Sequence, residues 1–416
     1  MDVAIIGAGM GGLTLALELH EAGIPCRIYE AVPELAPLGV GINVLPHASA
    51  ELCRLGLEEA LAKVAITTRE SVFFNRFGQL IYTEPAGQFA GYDTPQFSIH
   101  RGDLQMVLAD AVRERLGEDA IVMGHKCTTI DQDKEGVNVG FESPAGEKLP
   151  DVRASIVVAC DGVHSTVRKH FYPDEDGLRY SGVNIWRGVT RWPAILSGAS
   201  MIRVGWLTTG KMVIYPIRDS IDAAGNQLIN WAVEIETPRH ITRDWNRRGE
   251  IGDFIEAVDD WVFDWLDVPA MIRAADQILE YPMMDQEPLD RWTFGRVTLL
   301  GDAAHPMVPR GSNGAAQAIL DAQELRRALV HIDDPTAALT AYQQVRLPAT
   351  AEVVRANRIM PPDILLKEVL DRTGDKPFDR IEDVISEEEM SAISQRYKRI
   401  AGFDQETLLA GPAAQA

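Results

Sequence analysis

Cysteine is scarce in this sequence. Four cysteines are spread over 416 residues, at Cys26, Cys53, Cys127 and Cys160, with no C-x-x-C pair and no neighbouring histidine in a spacing that suggests a metal. A structural zinc site needs closely spaced cysteine and histidine ligands, which this sequence does not offer. We therefore expect reduced, mostly buried thiols and no bound metal.

Positive charge is also in short supply. The chain carries 40 Lys and Arg residues against 61 Asp and Glu residues, which gives a formal net charge of -21 at pH 7. A protein of this charge repels a phosphate backbone, so no nucleic-acid partner is expected. Any phosphate-bearing ligand must then be held locally, by backbone N–H groups and the N-terminus of a helix.

Long apolar runs are missing as well. The run at residues 156–160 is representative, and it is far shorter than the roughly 20 residues that a membrane helix requires. The chain enters an apolar strand after two residues, without the charged and apolar regions of a signal peptide. These features predict a cytoplasmic protein without a membrane segment. The length of 416 residues predicts two lobes, or one domain with a large insertion.

The first thirty residues have the pattern of a βαβ unit. An apolar strand at residues 3–6 is followed by a glycine turn, a helical run at 13–22 and a second strand at 27–30. The turn Gly7-Ala8-Gly9-Met10-Gly11-Gly12 fits G-x-G-x-x-G, and Glu30 ends the second strand. Such glycines let the backbone approach a pyrophosphate, and the acid can accept hydrogen bonds from a ribose. The pattern predicts a dinucleotide and leaves open whether it is FAD or NAD.

Two later strands carry polar residues at their carboxyl ends. Strand 154–159 leads into Cys160-Asp161-Gly162, and strand 297–300 leads into Gly301-Asp302; in open parallel sheets this edge binds ligands. Residues 181–282 alternate in the manner of antiparallel strands, and a hairpin at 71–82 is expected to join them. From residue 315 onward the pattern is helical.

Three segments in the correct order resemble a known family. They are "SIHRGDLQ" at 98–105, "DGVHSTVR" at 161–168 and "GDAAHPMVPRGSNGAAQAILDA" at 301–322. These resemble motifs of the single-component flavoprotein aromatic hydroxylases, the class of 4-hydroxybenzoate hydroxylase. The segments "PLGVGIN", "TPQFSIHRG" and "WRGVT" are most similar to the phenazine-modifying members of pyocyanin biosynthesis.

The resemblance implies an α/β fold: a glutathione-reductase-like FAD-binding Rossmann domain with an inserted antiparallel β-sheet substrate domain and C-terminal helices. We expect residues 1–175 and 286–360 to form the FAD-binding domain, with 71–100 either in this domain or joined to the substrate sheet. Residues 176–285 are expected to form the substrate domain, and 361–416 a helical tail.

The cofactor implied is tightly but non-covalently bound FAD, with NADH or NADPH as co-substrate. Asp302 could hydrogen-bond the ribityl and pyrophosphate region, and the helix N-terminus near Gly314 could stabilise negative charge on the reduced flavin. Arg168 either braces the turn at Asp161 or touches the cofactor. The expected cofactor-binding residues are Gly7, Gly9, Gly11, Gly12, Glu30, Ala31, Gly41, Asn43, Arg101, Gln105, Cys127, Asp161, Asp302, Gly314 and Ala315.

The inserted sheet supplies candidates for an aromatic pocket, since a flat ring needs stacking faces and a few oriented polar groups. They are Trp186, Arg187, Arg203, Tyr215 and Trp231, and each of them could instead be sheet core. By the resemblance, Tyr215 lies on a substrate-facing strand and could hydrogen-bond a ring hydroxyl. Arg187 or Arg203 is expected to attract an anionic substituent of the ring.

Two histidines require separate consideration. His47 stands where many members of the family carry Asn, and it is either structural or in contact with substrate. His305 is expected to pack or hydrogen-bond locally. The predicted catalytic set is therefore Tyr215, His47, Arg203 and Arg187.

The predicted reaction has two halves. Hydride passes from NADH or NADPH to FAD, and the reduced flavin takes up O2 as a hydroperoxide that hydroxylates an aromatic or N-heteroaromatic ring. The protein is expected to be a monomer or homodimer. Two alternatives stay open: a flavin-dependent dehydrogenase or oxidase, and a non-enzymatic flavin redox sensor. A second G-x-G-x-x-G is missing, which argues against a reductase with two nucleotide domains.

Overall fold

The computed structural model describes residues 1–237 and 247–410. Residues 238–246, inside the expected substrate domain, and 411–416, at the end of the expected tail, lie outside the described residues. In the described part, no helix combines the length and the apolar character needed to cross a membrane.

The elements are numbered here in chain order. The strands are β1 Val3–Ile6, β2 Cys26–Tyr29, β3 Gly41–Val44, β4 Ala65–Thr67, β5 Glu70–Phe74, β6 Leu80–Pro85, β7 Phe97–His100, β8 Ile121–Val122, β9 Lys126–Gln132, β10 Val137–Glu142, β11 Val152–Ala154, β12 Ile156–Ala159, β13 Arg179–Trp192, β14 Ser200–Trp206, β15 Gly210–Arg218, β16 Gln227–Glu236, β17 Arg247–Arg248, β18 Val262–Phe263, β19 Leu266–Asp267, β20 Ile278–Asp285, β21 Thr293–Phe294 and β22 Val297–Leu299. The helices are α1 Met10–Glu21, α2 Pro46–Arg54, α3 Glu58–Ala62, α4 Arg101–Leu116, α5 Thr166–Phe171, α6 Val268–Arg273, α7 Gly314–His331, α8 Pro335–Ile359, α9 Ile364–Thr373, α10 Glu387–Ala401 and α11 Gln405–Ala410.

The first lobe is built on a six-stranded sheet in the order β21-β22-β12-β1-β2-β8. Its pairs are parallel except β21–β22. Every residue of β1 and β12 is buried, as expected for parallel strands covered on both faces. Helices α4 and α7 pack against α1, so the glycine turn between β1 and α1 lies at the centre of this lobe.

The second lobe is an eight-stranded sheet in the order β17-β20-β13-β16-β15-β14-β5-β6. The strands run antiparallel apart from the β14–β5 pair, through which the hairpin β5–β6 joins the sheet. Side chains alternate between the two faces. One face carries an apolar core that contains Trp186, Trp231, Trp261 and Phe254, and the other faces the first lobe.

Smaller units connect the two lobes. The antiparallel sheet β3-β7-β4 packs against β15. The C-terminal segment returns to the second lobe, where α9 packs against β14 and α10 packs against α8 and α9. Helix α9 is followed by Gly374 in the left-handed region, with φ 60°, a conformation that glycine adopts without strain.

The predicted fold class, α/β with an inserted antiparallel sheet and C-terminal helices, is confirmed. Two local details differ from the expectation. The strand expected at 154–159 is divided, because β11 ends at Ala154 and β12 begins at Ile156. Helix α1 begins at Met10 rather than Leu13, so the last two glycines of the turn are already helical.

Candidate active site

The glycine turn places its four glycines in two different environments. A Cβ at Gly7, whose φ is +104°, would lie 2.5 Å from the carbonyl oxygen of Cys160, and one at Gly12 would lie 2.0 Å from the carbonyl oxygen of Gly7. Gly11 is similarly confined, with a leucine methyl 2.5 Å away. At Gly9 a Cβ would meet no atom within 4 Å. Three glycines therefore allow the turn to pack, whereas Gly9 leaves open space at the N-terminus of α1.

Glu30 and Gln105 hold this turn in place. The Glu30 carboxylate accepts hydrogen bonds from the backbone N–H of Ala8 at 2.7 Å and of Val32 at 3.0 Å. The Gln105 amide donates to the carbonyl of Ala8 at 2.8 Å. A carboxylate offers about four acceptor positions, so Glu30 retains capacity for ribose hydroxyls. Ala31, the next residue, is exposed.

The Asp161 carboxylate binds the first turn of helix α5. Its Oδ2 accepts from the N–H groups of Thr166 at 2.8 Å and Val167 at 3.3 Å. Its Oδ1 has no hydrogen-bond partner among the described residues, and burial raises the pKa of this carboxyl. The Cys127 side chain packs in the first lobe's core, and burial raises its pKa to about 12. The thiol is therefore neutral, and only the backbone of Cys127 remains as a contact for a ligand.

Arg168 bridges the two cofactor motifs. It donates to the carbonyls of Ala303 at 3.2 Å and Ala304 at 3.0 Å, and its Nε donates to Glu175 at 2.8 Å. The side chain is 3% exposed. Of the two roles considered for Arg168, the structure places it in the bracing role.

His305 is part of a buried network beneath the turn at Asp302. Its Nε2 lies 2.6 Å from Oδ2 of Asp321, which also accepts from the N–H of Gly301 at 3.1 Å. Arg346 donates to Oδ1 of Asp321 at 2.7 Å. Burial alone would raise the pKa of Asp321, but His305 and Arg346 hold it below its usual value. His305 thus makes the local contacts expected of it, and Asp321 is a supporting residue that the sequence reasoning missed.

Asp302 and the start of α7 face the same space. Asp302 is exposed to it, yet the surrounding protein desolvates the carboxyl and raises its pKa, an effect that His305 and Arg101 oppose. Helix α7 begins at Gly314. The first N–H groups of a helix have no intrahelical partner and carry partial positive charge. The helix N-terminus can therefore hold an electron-rich acceptor, and the Asp302 carboxyl can hydrogen-bond a hydroxyl group.

This space is a cavity of about 230 Å³ between α7 and the eight-stranded sheet. It brings together nine of the predicted site residues, namely Gly41, Asn43, Arg101, Arg187, Arg203, Tyr215, Asp302, Gly314 and Ala315. Seven polar residues that were not predicted from the sequence also line it, namely Lys211, Asn230, Glu234, Arg310, Ser312, Asn313 and Asp363. The remaining predicted cofactor residues lie along the glycine and Asp161 turns.

Tyr215 and Arg187 approach the β3 segment closely. Arg187 donates to the carbonyl of Gly41 at 2.6 Å, and Asn230 accepts from the N–H of Gly41 at 2.7 Å. A Cβ on Gly41 would lie 2.7 Å from the Tyr215 ring. Tyr215 is 5% exposed, and burial raises the pKa of its phenol while Arg187 opposes the rise. The phenol therefore stays protonated and able to donate at neutral pH.

Three of the residues predicted to contact the substrate do not line the cavity. The imidazole of His47 stacks on Phe403 with ring centroids 5.2 Å apart, and burial lowers its pKa to about 3. Trp186 and Trp231 lie on the opposite face of the sheet, with centroids 5.3 and 6.1 Å from Phe254. The tryptophans are sheet core, and His47 is a neutral packed side chain.

A cluster of buried charges forms one wall of the cavity. Lys211 contacts both carboxylate oxygens of Glu234 at 3.0 Å and also pairs with Asp363. Arg203 lies 2.7 Å from Asp363, and Arg310 lies 3.9 Å from Glu234. Lys211 lies four residues before Tyr215 on β15, so both side chains point to the same face of the sheet. This spacing could have identified Lys211 as a cavity residue. Asp363 comes from the segment before α9, and no local pattern marks it.

The unpaired polar atoms of the cavity wall are mainly donors. Among the described residues, no hydrogen-bond partner is found for Nδ2 of Asn43, Nε of Arg187, Nη1 of Arg203, Nδ2 of Asn230 and Nε of Arg310. An acceptor-rich ligand suits such a wall. The open space at Gly9 and the N-terminus of α7 fit FAD, whose phosphates and ring carbonyls are acceptors, whereas the arginine donors on the sheet suit an acceptor-rich substrate.

Comparisons with known proteins point to the same cofactor. A family model described as an FAD binding domain matches residues 1–218 and 267–357. The chain is 43% identical over 362 residues to the phenazine 1,6-dicarboxylic acid hydroxylase PhzS of Lysobacter antibioticus, covering 86% of this chain and 89% of that protein. It is 30% identical to the 3-amino-4-hydroxybenzoate 2-monooxygenase of Streptomyces cremeus, covering 98% of each. The crystal structure of Klebsiella pneumoniae HpxO with FAD and uric acid matches with a TM-score of 0.74 at 23% identity, covering 99% of this chain and 98% of that one.

Proposed function

The chain belongs to the FAD-binding domain family of flavoprotein aromatic monooxygenases, and we propose that it hydroxylates an electron-rich aromatic or N-heteroaromatic carboxylate. NADH or NADPH is the proposed reductant, and O2 is the oxygen source. The observation that carries the proposal is the cavity that joins the N-terminus of α7 to Tyr215 and a wall of cationic donors.

FAD, when bound, supplies the hydride acceptor and the activated oxygen. The protein therefore has to bind the substrate, orient it toward the flavin and exclude water from the site. The turn at Gly9, with Glu30 beside it, is proposed to hold the pyrophosphate and ribose. The N–H groups of Gly314 and Ala315 would stabilise negative charge at the pyrimidine edge of the ring system. Arg101 and Asp302 line the same edge of the cavity.

Tyr215 is proposed to orient the ring. An electrophilic oxygen attacks only an electron-rich ring, which therefore carries a hydroxyl or amine substituent. The phenol of Tyr215 can hydrogen-bond that substituent and fix the carbon that faces the oxygen donor. Because the protonated phenol is buried in the cavity wall, it keeps one position while the ring binds.

The carboxylate is proposed to bind beside Arg203 and Arg310. Each has an unpaired nitrogen donor at the cavity wall, and charge-assisted hydrogen bonds to a carboxylate are among the strongest that proteins make. The two curated relatives described above are named for substrates that are carboxylic acids. Arg187 is the alternative anion partner, although it already donates to Gly41.

The substrate class is tested by a matched screen. FAD-loaded protein is incubated with NADH or NADPH and with hydroxylated or N-heteroaromatic acids, each paired with its carboxamide, and products are identified by mass spectrometry. We expect a product heavier by one oxygen from at least one acid and much less from its amide. Consumption of NADH or NADPH that yields only hydrogen peroxide with every acid would refute the proposed class.

The dehydrogenase or oxidase alternative shares the same FAD-binding residues, so only the fate of oxygen separates it from a monooxygenase. We also propose a cytoplasmic monomer or homodimer without a nucleic-acid partner, in keeping with a net charge of -21. The boundaries 1–175, 176–285, 286–360 and 361–416 are retained as the proposed division of the chain.

A further inference from the structure

Asp363 reaches the cavity from outside the region that defines the family. The family match ends at residue 357, and Asp363 is the residue immediately before α9. It is 3% exposed. The C-terminal segment therefore contributes a buried carboxylate to a site otherwise built by the two lobes.

The carboxylate of Asp363 lies between two cations. Its Oδ1 is 2.7 Å from Nε of Arg203, and its Oδ2 pairs with Nζ of Lys211. Lys211, 1% exposed, is the best enclosed cation of the cluster and also binds Glu234. Although burial raises the pKa of Asp363, Lys211 and Arg203 hold it below its usual value. Asp363 is therefore ionised at neutral pH.

The charges of this cluster do not cancel. The cations are Arg203, Lys211 and Arg310, and the carboxylates are Glu234 and Asp363, which leaves one excess positive charge. An uncompensated buried charge is costly. Arg101 and Arg187 add two cations to the lining of the cavity and Asp302 adds one carboxylate, so the cavity as a whole also keeps a positive excess. Arg203 and Arg310 each have an unpaired donor, which a carboxylate on the ligand would fill.

We propose that Asp363 sets the charge selectivity of the substrate site, so that it lowers the affinity of the site for a second carboxylate on the ring. This inference rests on the proposed function, because it concerns the same cavity. Without the charge of Asp363 the positive excess would rise by one, and a second carboxylate on the ligand would be favoured. Asp363 is thus a specificity-determining residue that acts through Arg203 and Lys211.

The test compares ligand charge at constant ring shape. Dissociation constants of phenazine-1-carboxylate, phenazine-1,6-dicarboxylate and phenazine-1-carboxamide are measured by calorimetry on the FAD-loaded protein, with 3-hydroxybenzoate and 5-hydroxyisophthalate as a single-ring pair. The wild-type protein is expected to bind the monocarboxylate more tightly than the carboxamide. In Asp363→Asn the ratio of dicarboxylate to monocarboxylate affinity should rise at least about tenfold, which corresponds to about 1.4 kcal/mol.

Three further variants separate charge from structure. Asp363→Glu should keep the wild-type ratio. Glu234→Gln should shift the ratio in the same direction as Asp363→Asn, so the proposal can still be tested if Asp363→Asn does not fold. Asp375→Asn, which removes a carboxylate of the same C-terminal segment that pairs with Arg76, should leave every constant unchanged.

An unchanged ratio in Asp363→Asn and Glu234→Gln, an equal loss of affinity for acids and carboxamide, or a wild-type protein that binds no acid would each overturn the proposal. The binding constants do not depend on turnover. Correct selectivity without an oxygenated product would instead refute the proposed function and leave the role of Asp363 standing.

Discussion

Substituting Gly9 should remove FAD without damaging the protein. Because a Cβ at Gly9 meets no protein atom within 4 Å and its φ of -77° is open to any residue, Gly9→Val should change the stability of the apoprotein by less than about 0.5 kcal/mol. The added side chain would occupy the space proposed for the pyrophosphate. Loss of one or two charge-assisted hydrogen bonds, at about 1.5–3 kcal/mol each, should weaken FAD binding at least tenfold.

Gly12 supplies the matched contrast. A Cβ there would lie 2.0 Å from the carbonyl oxygen of Gly7, so Gly12→Ala should lower the free energy of unfolding of the apoprotein by about 1–3 kcal/mol or more as well as weakening FAD binding. Urea unfolding of the apoproteins and fluorescence titration with FAD separate the two effects. Gly9→Val that binds FAD as tightly as the wild type would refute the placement of the pyrophosphate at this turn.

Three other predictions concern the site and its support. Tyr215→Phe should lower product formed per NADH or NADPH oxidised by roughly fivefold, the value of one hydrogen bond of about 1 kcal/mol; unchanged coupling and affinity would show that Tyr215 is only sheet core. Burial lowers the pKa of His47 from 6.5 to about 3. As the pH falls below 6.5, His47 is therefore protonated in the unfolded chain but not in the folded protein, which favours unfolding. The free energy of unfolding should therefore drop by about 2 kcal/mol between pH 7 and pH 5, and His47→Gln should remove that part; equal pH slopes would contradict it. Arg168→Met should lower the free energy of unfolding by about 3 kcal/mol, because it leaves the buried partners of Arg168 without a hydrogen-bond donor. Arg179→Met, at an exposed ion pair, should lower it by less than about 1 kcal/mol. Equal losses in urea unfolding would show that Arg168 does not support the turn.

The cofactor-facing half of the site was predictable because its signals are local. The glycine turn, Glu30, and the turns at Asp161 and Asp302 each stand at the end of a short apolar strand. A strand, a turn and a helix in register can be identified within thirty residues. Their assembly at one sheet edge follows from the parallel order of β1, β2, β12 and β22.

The substrate-facing half was only partly predictable. Strand phase would have separated Trp231 from Asn230 and Trp186 from Arg187, because alternate residues face opposite sides of the sheet. Charged residues in a strand are usually exposed, which hid Lys211. Asp363 is distant in sequence from every partner, and only the packing of α9 against β14 reveals its role.

The central claim, oxygen insertion into an aromatic carboxylate, is tested most directly by isotope labelling. FAD-loaded protein is supplied with NADH or NADPH, the best-binding acid and ¹⁸O2 in ordinary water, and the product is analysed by mass spectrometry. One ¹⁸O atom in the new ring hydroxyl is the predicted result. A product whose new oxygen comes from water, or an oxidised product with no added oxygen, would contradict the monooxygenase assignment and favour a dehydrogenase or oxidase.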